Sequence, residues 1–561
     1  MFENYLKSAW RNIKRSKGFF ALNFIGLYIS IAVCLLIGLI ILHETSFDRS
    51  TNKNLVIYRV VKSATRSTGK TYSAITPYPL AAALRATTSM KLISQIHFQR
   101  EDVISFDNKK FKEENIVFAD SVFPRLFPLT VKQGSIGRAL TEPGFAIVTE
   151  ETAHKFFGNE NPIGKRVKIA NLVDLQVAAV IANAPANSHL QYNMLISYPS
   201  LKPEFIGGFP LDQWGLNSAG YTYIGLPDEN QTGHVNAALA SIANENLNNK
   251  KDGTITNFNL QPLPDIHYNQ LYAGGNPSYT INYSYLYLIG AIGLFLILAA
   301  CINYTNLSTA LAIRKSKEVG VRKTMGATRE HLLRQFLSET FVLTAFVFIA
   351  AALSVRFFLP PLNNFLDKNI PLNWLHVNSA LFLIGLWILV SLLSGLYPAF
   401  VLSGFNPVAA LKNKGITPKA SVVTLRKGLV VFQFLTAQIL LIGAIVVAKQ
   451  MNFIQSRPLG FTTNNVVDIN LPENKHEQLK LLSDKLSAIP GVTGVSFSLG
   501  APVADNNAST SFNRKEKYAS EKIDVEVKAA DKNYLSTYGL QLTAGRWFDD
   551  NDEHSVNDAI P

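Results

Sequence analysis

Charge and cysteine are what this 561-residue chain has little of. Charged residues make up 17% of it, against about 25% in an ordinary soluble domain. The deficit is local, which points to membrane spans rather than to an unusual core. Its two cysteines, Cys34 and Cys301, both lie inside apolar stretches. Their number and spacing exclude a disulfide framework and a cysteine metal site. The ten histidines do not cluster at ligand spacing, and His43-Glu44 has no second histidine four residues on. A zinc-protease motif is therefore absent. A phosphate-binding loop is absent too, although two segments imitate one. Between Gly158 and Gly164-Lys165 there is one residue too many, and Arg166 stands where a hydroxyl is needed. Before Gly69-Lys70-Thr71, Ala64 stands where the first glycine belongs. No nucleophile–base constellation stands out, which argues against catalysis by this chain and against a bound cofactor.

What the chain does have is long apolar runs. Five run over about 20–42, 283–304, 341–358, 380–401 and 430–447. A helix needs about 20 apolar residues to cross a bilayer. The first is too long for a signal-peptide core and lacks a small-residue cleavage site after it.

Basic residues near the spans set the orientation. Lys7, Arg11, Lys14, Arg15 and Lys17 precede the first span. Arg314, Lys315, Lys317, Arg322, Lys323, Arg329 and Arg334 follow the second, and Lys412, Lys414, Lys419, Arg426 and Lys427 follow the fourth. The N-terminus, a loop over 305–340 and a linker over 402–429 are thus expected in the cytoplasm. Regions 43–282 and 448–561 are then extracytoplasmic. Topology accounts for much of the net charge of +13, so a nucleic-acid partner is not needed.

Residues 1–19 read as an interfacial helix. Phe2, Tyr5, Leu6, Ala9, Trp10 and Ile13 recur at helical spacing, with Arg11 and Arg15 on the other side. Region 43–282 mixes patterns. Strands are expected over 56–61 and 177–181, and helices over 78–85 and 149–157, the second ended by Gly158. Pro185, Asn187 and Ser188 mark a turn. The fold class is a membrane protein with α-helical spans and large α+β extracytoplasmic domains. A short helix is expected over 408–412 in the linker.

The layout also begins twice. Lys17-Gly18 and Lys427-Gly428 each open an apolar stretch. Strand-like runs follow over 54–58 and 465–469, and the run over 127–134 recurs loosely over 538–545. The last two pairs are each 411 positions apart. Repeats at a fixed offset signal duplicated architecture. The expectation is a second unit that starts at the fifth span and is cut off, with roughly 200–250 residues missing.

The segment 314–328 combines charge with apolar Val319, Val321 and Met325, and Gly320 and Gly326 are expected to break it twice. An exposed apolar cluster rimmed by charge marks a protein partner. Its run Arg314-Lys315-Ser316-Lys317-Glu318-Val319-Gly320-Val321-Arg322-Lys323-Thr324-Met325-Gly326-Ala327, followed by Gln335-Phe336-Leu337-Ser338-Glu339, resembles the signature of FtsX-type permeases of ABC transporters, in the MacB-like group. Tyr397-Pro398-Ala399, Ser403, Pro407 and 409–412 resemble a second feature of that family.

The resemblance implies a multi-pass permease of the bacterial inner membrane with MacB-like periplasmic core domains. It has no ATPase motif of its own; a separate ABC ATPase would bind the ATP. The contact it implies is Glu318, Val319, Gly320, Val321, Arg322, Lys323, Met325, Gly326 and Ala327. Arg322 and Lys323 would meet acidic groups, and Val319, Val321 and Met325 would be anchors. ATP-driven closure would move the outer domains, a mode called mechanotransmission, in export of drugs, peptides or lipoproteins with a periplasmic adaptor. An alternative is an FtsX-like signalling subunit that activates a cell-wall hydrolase. A membrane-anchored enzyme is a further one. The four-span MacB differs; a duplicated chain would have eight spans.

Overall fold

A computed structural model describes all residues except 1–16, 50, 67–68, 217, 249–253, 373–376, 405–419, 470, 472–475, 505–507, 517–518, 550–551 and 553–561. The interfacial helix expected over 1–19 and the helix over 408–412 fall outside the described residues, apart from Lys17 onward.

The elements run in the following order. Helix α1 (Lys17–Thr45) is almost wholly apolar. The outer region follows with β1 (Val56–Arg66), β2 (Gly69–Ser73), α2 (Leu80–Thr88), β3 (Ile93–Phe106), β4 (Lys109–Ala119) and α3 (Phe123–Leu126). Then come β5 (Val131–Gly134), β6 (Phe145–Thr149), α4 (Glu150–Phe157), β7 (Arg166–Ile169), β8 (Val173–Ile181) and β9 (Met194–Ser197). β10 (Gly220–Leu226), α5 (Thr232–Asn246) and β11 (Ile255–Pro262) complete it. Four long helices are next: α6 (Tyr283–Thr324), α7 (Arg329–Leu366), α8 (Val377–Ser403) and α9 (Ala420–Ser456). The second outer region holds α10 (His476–Ser487), β12 (Ala508–Glu516), β13 (Ala519–Val527) and α11 (Tyr534–Thr537).

The chain divides into two units. The helical unit comprises 1–49, 186–188 and 281–452. Among the described residues, five helices are long and apolar enough to cross a bilayer: Ala21–Thr45, Tyr283–Ala310, Arg329–Leu366, Val377–Ser403 and Lys427–Ser456. Each contains the core of one of the five apolar runs. The first four bury 28–39% of their apolar windows and the fifth only 6%, so α1, α6, α7 and α8 make one bundle without α9. Leu27, Ile31 and Leu35 of α1 pack with Ile297 and Cys301 of α6, Val347 and Ala351 of α7, and Val390 of α8. Hydroxyls join the helices inside: Thr344 Oγ1 lies 2.7 Å from Ser391 Oγ and accepts from Trp387 Nε1 at 3.2 Å. In an apolar medium such polar side chains need partners on neighbouring helices.

The outer unit is α+β. Its first region carries one sheet in the order β11-β1-β10-β3-β4-β9-β6-β8-β5, with β2 beside β1 and β7 beside β3 and β8. Most pairs are antiparallel; β4–β9 and β6–β8 are parallel. Helices α2 and α5 cover part of it, where Leu80, Leu84, Val235 and Leu239 pack on Val60 and Ile224. α4 covers another part through Phe156 and Phe157. It is capped as its sequence predicts: Thr149 accepts from Thr152 N, and Gly158 ends it at φ 62°. The expected helix over 78–85 forms as α2, shifted to Leu80–Thr88.

The second region repeats a piece of the first. α3 and α11 both have four residues and lie 411 positions apart. The hairpin β3–β4 turns at Phe106↔Lys109, and β12–β13 turns at Glu516↔Ala519. Asp120 accepts from Ser94 Oγ at 2.7 Å, Gln95 N at 3.0 Å and Val122 N at 3.2 Å. Asp531, 411 positions later, accepts from Ser496 Oγ at 2.6 Å, Phe497 N at 2.8 Å and Asn533 N at 3.1 Å. The same carboxylate latch therefore closes both copies. One expectation fails here. The run 465–469 is not a strand, and Val467 and Ile469 stay exposed. A strand needs hydrogen-bonding neighbours. In the first copy those are β10 and β11. Among the described residues no strand pairs with this run.

Candidate coupling site at the helix junction

The segment expected as a cytoplasmic loop over 305–340 is mostly helix. α6 runs on to Thr324 and α7 starts at Arg329, leaving a turn over 325–328. Gly320 does not break α6: it is buried and helical. A helical glycine costs only about 1 kcal/mol, which neighbouring good helix formers and packing override. The Glu318–Arg322 pair, 2.6 Å apart at i,i+4, supports the same turn from outside.

Gly326 is the residue that stops the helix. Its φ is +95°, a left-handed conformation that favours glycine. Ala327 N donates to Arg322 O at 3.0 Å, and Gly326 N donates to Lys323 O at 3.1 Å. This is the Schellman pattern, which satisfies the helix's last carbonyls. Thr328 then caps α7 by accepting from His331 N at 3.3 Å. The turn is thus fixed at both helix ends.

A small apolar seat lies beneath it. Val319, Leu332, Phe336, Ala399 and Leu402 are buried together, with Ala327, Leu333 and Leu337 packed around them. The ends of α6 and α8 and the start of α7 meet here. Lys323 Nζ donates to Ser403 O at 2.7 Å and so caps the last turn of α8. Burial and the nearby Arg329 lower the Lys323 pKa.

The nine residues expected as a partner contact therefore separate. Val319 is only 1% exposed and packs within the chain. Its expected role as an anchor offered to a partner is corrected: the seat already uses its side chain. Gly320 is also buried, and Lys323 is engaged by Ser403. Glu318, Val321, Met325 and Gly326 face outward, with Val321 at 46% and Met325 at 82% exposure. Arg322 and Ala327 are half-buried. Leu332, Phe336 and Leu402 were not picked from sequence; the i,i+4 pair 332/336 at the start of α7 was the available signal. Of the second sequence feature, Ala399 sits in the seat, and Pro407 and 409–412 lie outside the described residues. Among the described residues no group of three His, Cys, Asp or Glu could hold a metal ion.

Two family models match the chain. Residues 20–242 match the MacB-like periplasmic core domain, and residues 290–407 match the FtsX-like permease C-terminal domain. The chain thus carries a MacB-like periplasmic core domain and an FtsX-like permease C-terminal domain. The junction lies inside the FtsX-like match, and α1 with most of the outer sheet lies inside the MacB-like match. A macrolide export ATP-binding/permease protein MacB from Bdellovibrio bacteriovorus is 26% identical over 271 residues, 48% of this chain and 38% of its own. A pyoverdine export ATP-binding/permease protein PvdT from Pseudomonas syringae pv. tomato is 25% identical over 230 residues, 40% of this chain and 32% of its own. The chain thus spans about a third of the length of these curated relatives. Of solved structures, the periplasmic region of MacB from Actinobacillus actinomycetemcomitans covers 39% of this chain at TM-score 0.28 and 17% identity. A domain of a permease from Porphyromonas gingivalis covers 38% at TM-score 0.34 and 20% identity. With these two domains and, among the described residues, five helices long and apolar enough to cross a bilayer, the chain is a multi-pass membrane protein.

Proposed function

We propose that this chain is the membrane subunit of an ABC exporter of the bacterial inner membrane. A separate ATPase docks on the α6–α7 turn, which faces the cytoplasm. Val321 and Met325 are its apolar anchors, Arg322 faces acidic groups on the ATPase, and Glu318, Gly326 and Ala327 complete the contact, while Lys323 holds the end of α8 through Ser403 O. Val319 and Gly320 support this surface from beneath. Closure of the ATPase moves the helices, and the helices move the outer region.

One observation carries this reading. Met325, 82% exposed, stands on a turn that Gly326, Thr328 and the seat hold rigid. A large apolar side chain fixed in water beside basic groups is what a preorganised contact needs. Basic residues flank the same ends of the spans, which supports a cytoplasmic location. The names of the MacB and PvdT relatives support export as the activity.

The test is a pull-down of the full-length protein in detergent, with mass spectrometry of what accompanies it. A P-loop ATPase in near-stoichiometric amount is the expected result, and any outer partner distinguishes an export adaptor from a wall hydrolase. Recovery of the permease without an ATPase, from cells that express the whole operon, would refute the reading.

A further inference from the structure

Three residues of the outer region belong with the helical unit. Residues 186–188 group with α1 and the other long helices, while Pro185 and His189 on either side group with the outer unit. They are held at the end of α1. Asp48 N donates to Asn187 O at 2.8 Å. Asn187 Nδ2 lies 2.9 Å from both the carbonyl oxygen and the Oγ of Ser46. Ser188 Oγ donates to Asp48 Oδ1 at 3.1 Å. The turn that receives them is itself fixed: Ser46 N and Oγ both donate to His43 O, and Asp48 takes φ 56°.

One turn back along α1, Glu44 is fully buried and pairs with Lys368. Lys368 follows the left-handed C-cap of α7, Asp367. Asn363 pins this corner: its Nδ2 donates to Ile370 O at 3.2 Å, and its Oδ1 accepts from Ile370 N at 3.3 Å. Ile370 is in turn buried in the bundle core. Glu44 thus joins the end of α1 to the α7–α8 link.

A buried ion pair contributes little net stability, because removing two charges from water costs about what their attraction returns. Its best attested use is registry: it fixes which elements lie against each other. Here it registers α1 against the α7–α8 link, next to the turn that holds 186–188.

We infer that Glu44, Lys368 and the hydrogen bonds between 46–48 and 187–188 form one mechanical knot, through which movement of the helices reaches the outer region. This rests on the proposed function for its purpose, though not for its existence. Its members are positioning residues.

The experiment is hydrogen exchange on the full-length chain in nanodiscs, with wild type, Lys368→Glu, and the reversed pair Glu44→Lys with Lys368→Glu. If the knot is one unit, Lys368→Glu speeds amide exchange at 46–48 and 186–188 together by at least tenfold, the reversed pair restores protection, and β4 amides stay unchanged as the folding control. Unchanged exchange at 186–188 in Lys368→Glu overturns the inference, whether or not any ATPase is found. With the co-purified ATPase, ATP plus vanadate is then added. Lys368→Glu is expected to keep ATPase association and hydrolysis but to lose the ATP-dependent change in outer-region exchange that wild type shows. If that change persists in Lys368→Glu, the knot does not transmit. Failure of wild type to bind an ATPase would count against the proposed function instead, and the first comparison still decides the knot.

Discussion

Replacing Met325 and Val319 separately distinguishes a docking surface from a folding core. Both are apolar residues of one short segment, yet Met325 is 82% exposed and Val319 is 1% exposed. Burying a methionine side chain is worth about 1.5–3 kcal/mol. Nearly all of Met325 is still available for burial by a partner, so Met325→Asp removes that amount and adds the cost of desolvating a carboxylate. At about 1.4 kcal/mol per factor of ten, ATPase affinity is expected to fall at least tenfold. The fold is expected to be unaffected, since among the described residues Met325 packs in no apolar core cluster. Val319→Ala does the reverse. It empties part of the seat of Leu332, Phe336, Ala399 and Leu402 and is expected to cost about 2 kcal/mol of stability. Docking at a permissive temperature should be nearly normal. The assays are co-purification ratio and binding titration for docking, and a thermal melt in detergent for the fold. Met325→Asp that binds the ATPase as wild type does would refute the assignment of the turn. A double substitution of Val319 and Met325 would not separate the two effects.

Two further predictions concern the outer region. His97 is buried with Nδ1 2.8 Å from Tyr78 Oη and Nε2 3.3 Å from Gln99 Oε1, and burial pulls its pKa down to about 4. The unfolded chain binds this proton near pH 6.5 and the folded chain does not, so stability present above pH 6.5 is lost as the pH falls towards 4, by about 2 kcal/mol at pH 5. Urea unfolding should show this slope between pH 6.5 and 5 in wild type and a flatter one in His97→Phe; equal slopes would exclude His97 as the cause. Gly134 has φ 76°, and a Cβ there would overlap the Ala178 carbonyl oxygen and lie 3.0 Å from Ala179 Cα. Gly545, its counterpart 411 positions on, has φ 85°, and a Cβ there would meet nothing within 4 Å among the described residues. Gly134→Ala is expected to destabilise its copy by about 2–4 kcal/mol and Gly545→Ala by about 1, compared by exchange protection of β8 and of α11. Equal effects would mean that backbone conformation alone, not the close approach, sets the cost.

The apolar runs were legible because a bilayer imposes a length of about 20 residues that no other setting demands. The helix over 149–157 was legible because its cap, Thr149, and its stop, Gly158, are local signals. The junction was misread for a definite reason. Charge density suggested a loop, and in a loop Val319, Val321 and Met325 are equivalent. On a continuous helix they are not. Positions 319 and 323 share one face, which meets Leu332, Phe336 and Ser403. Positions 318, 322 and 325 share another, with the Glu318–Arg322 pair and Met325 in solvent. The error therefore lay in the element and passed to the side chains.

The carboxylate latch shows a different limit. Its aspartates, Asp120 and Asp531, sit at the common offset of 411. Ser94 and Asp120 are 26 residues apart, whereas Ser496 and Asp531 are 35 apart. A search at one offset aligns the aspartates and misses the serines. The added chain lies beside the hairpin, since Ser94 is inside β3 whereas β12 starts only at Ala508, and chain inserted there leaves the base of the hairpin where it was. What the two copies share is thus a set of hydrogen bonds at the base of a hairpin rather than a run of residues. That is why the carboxylate, whose three bonds fix the chain at that base, keeps its place while the sequence around it drifts.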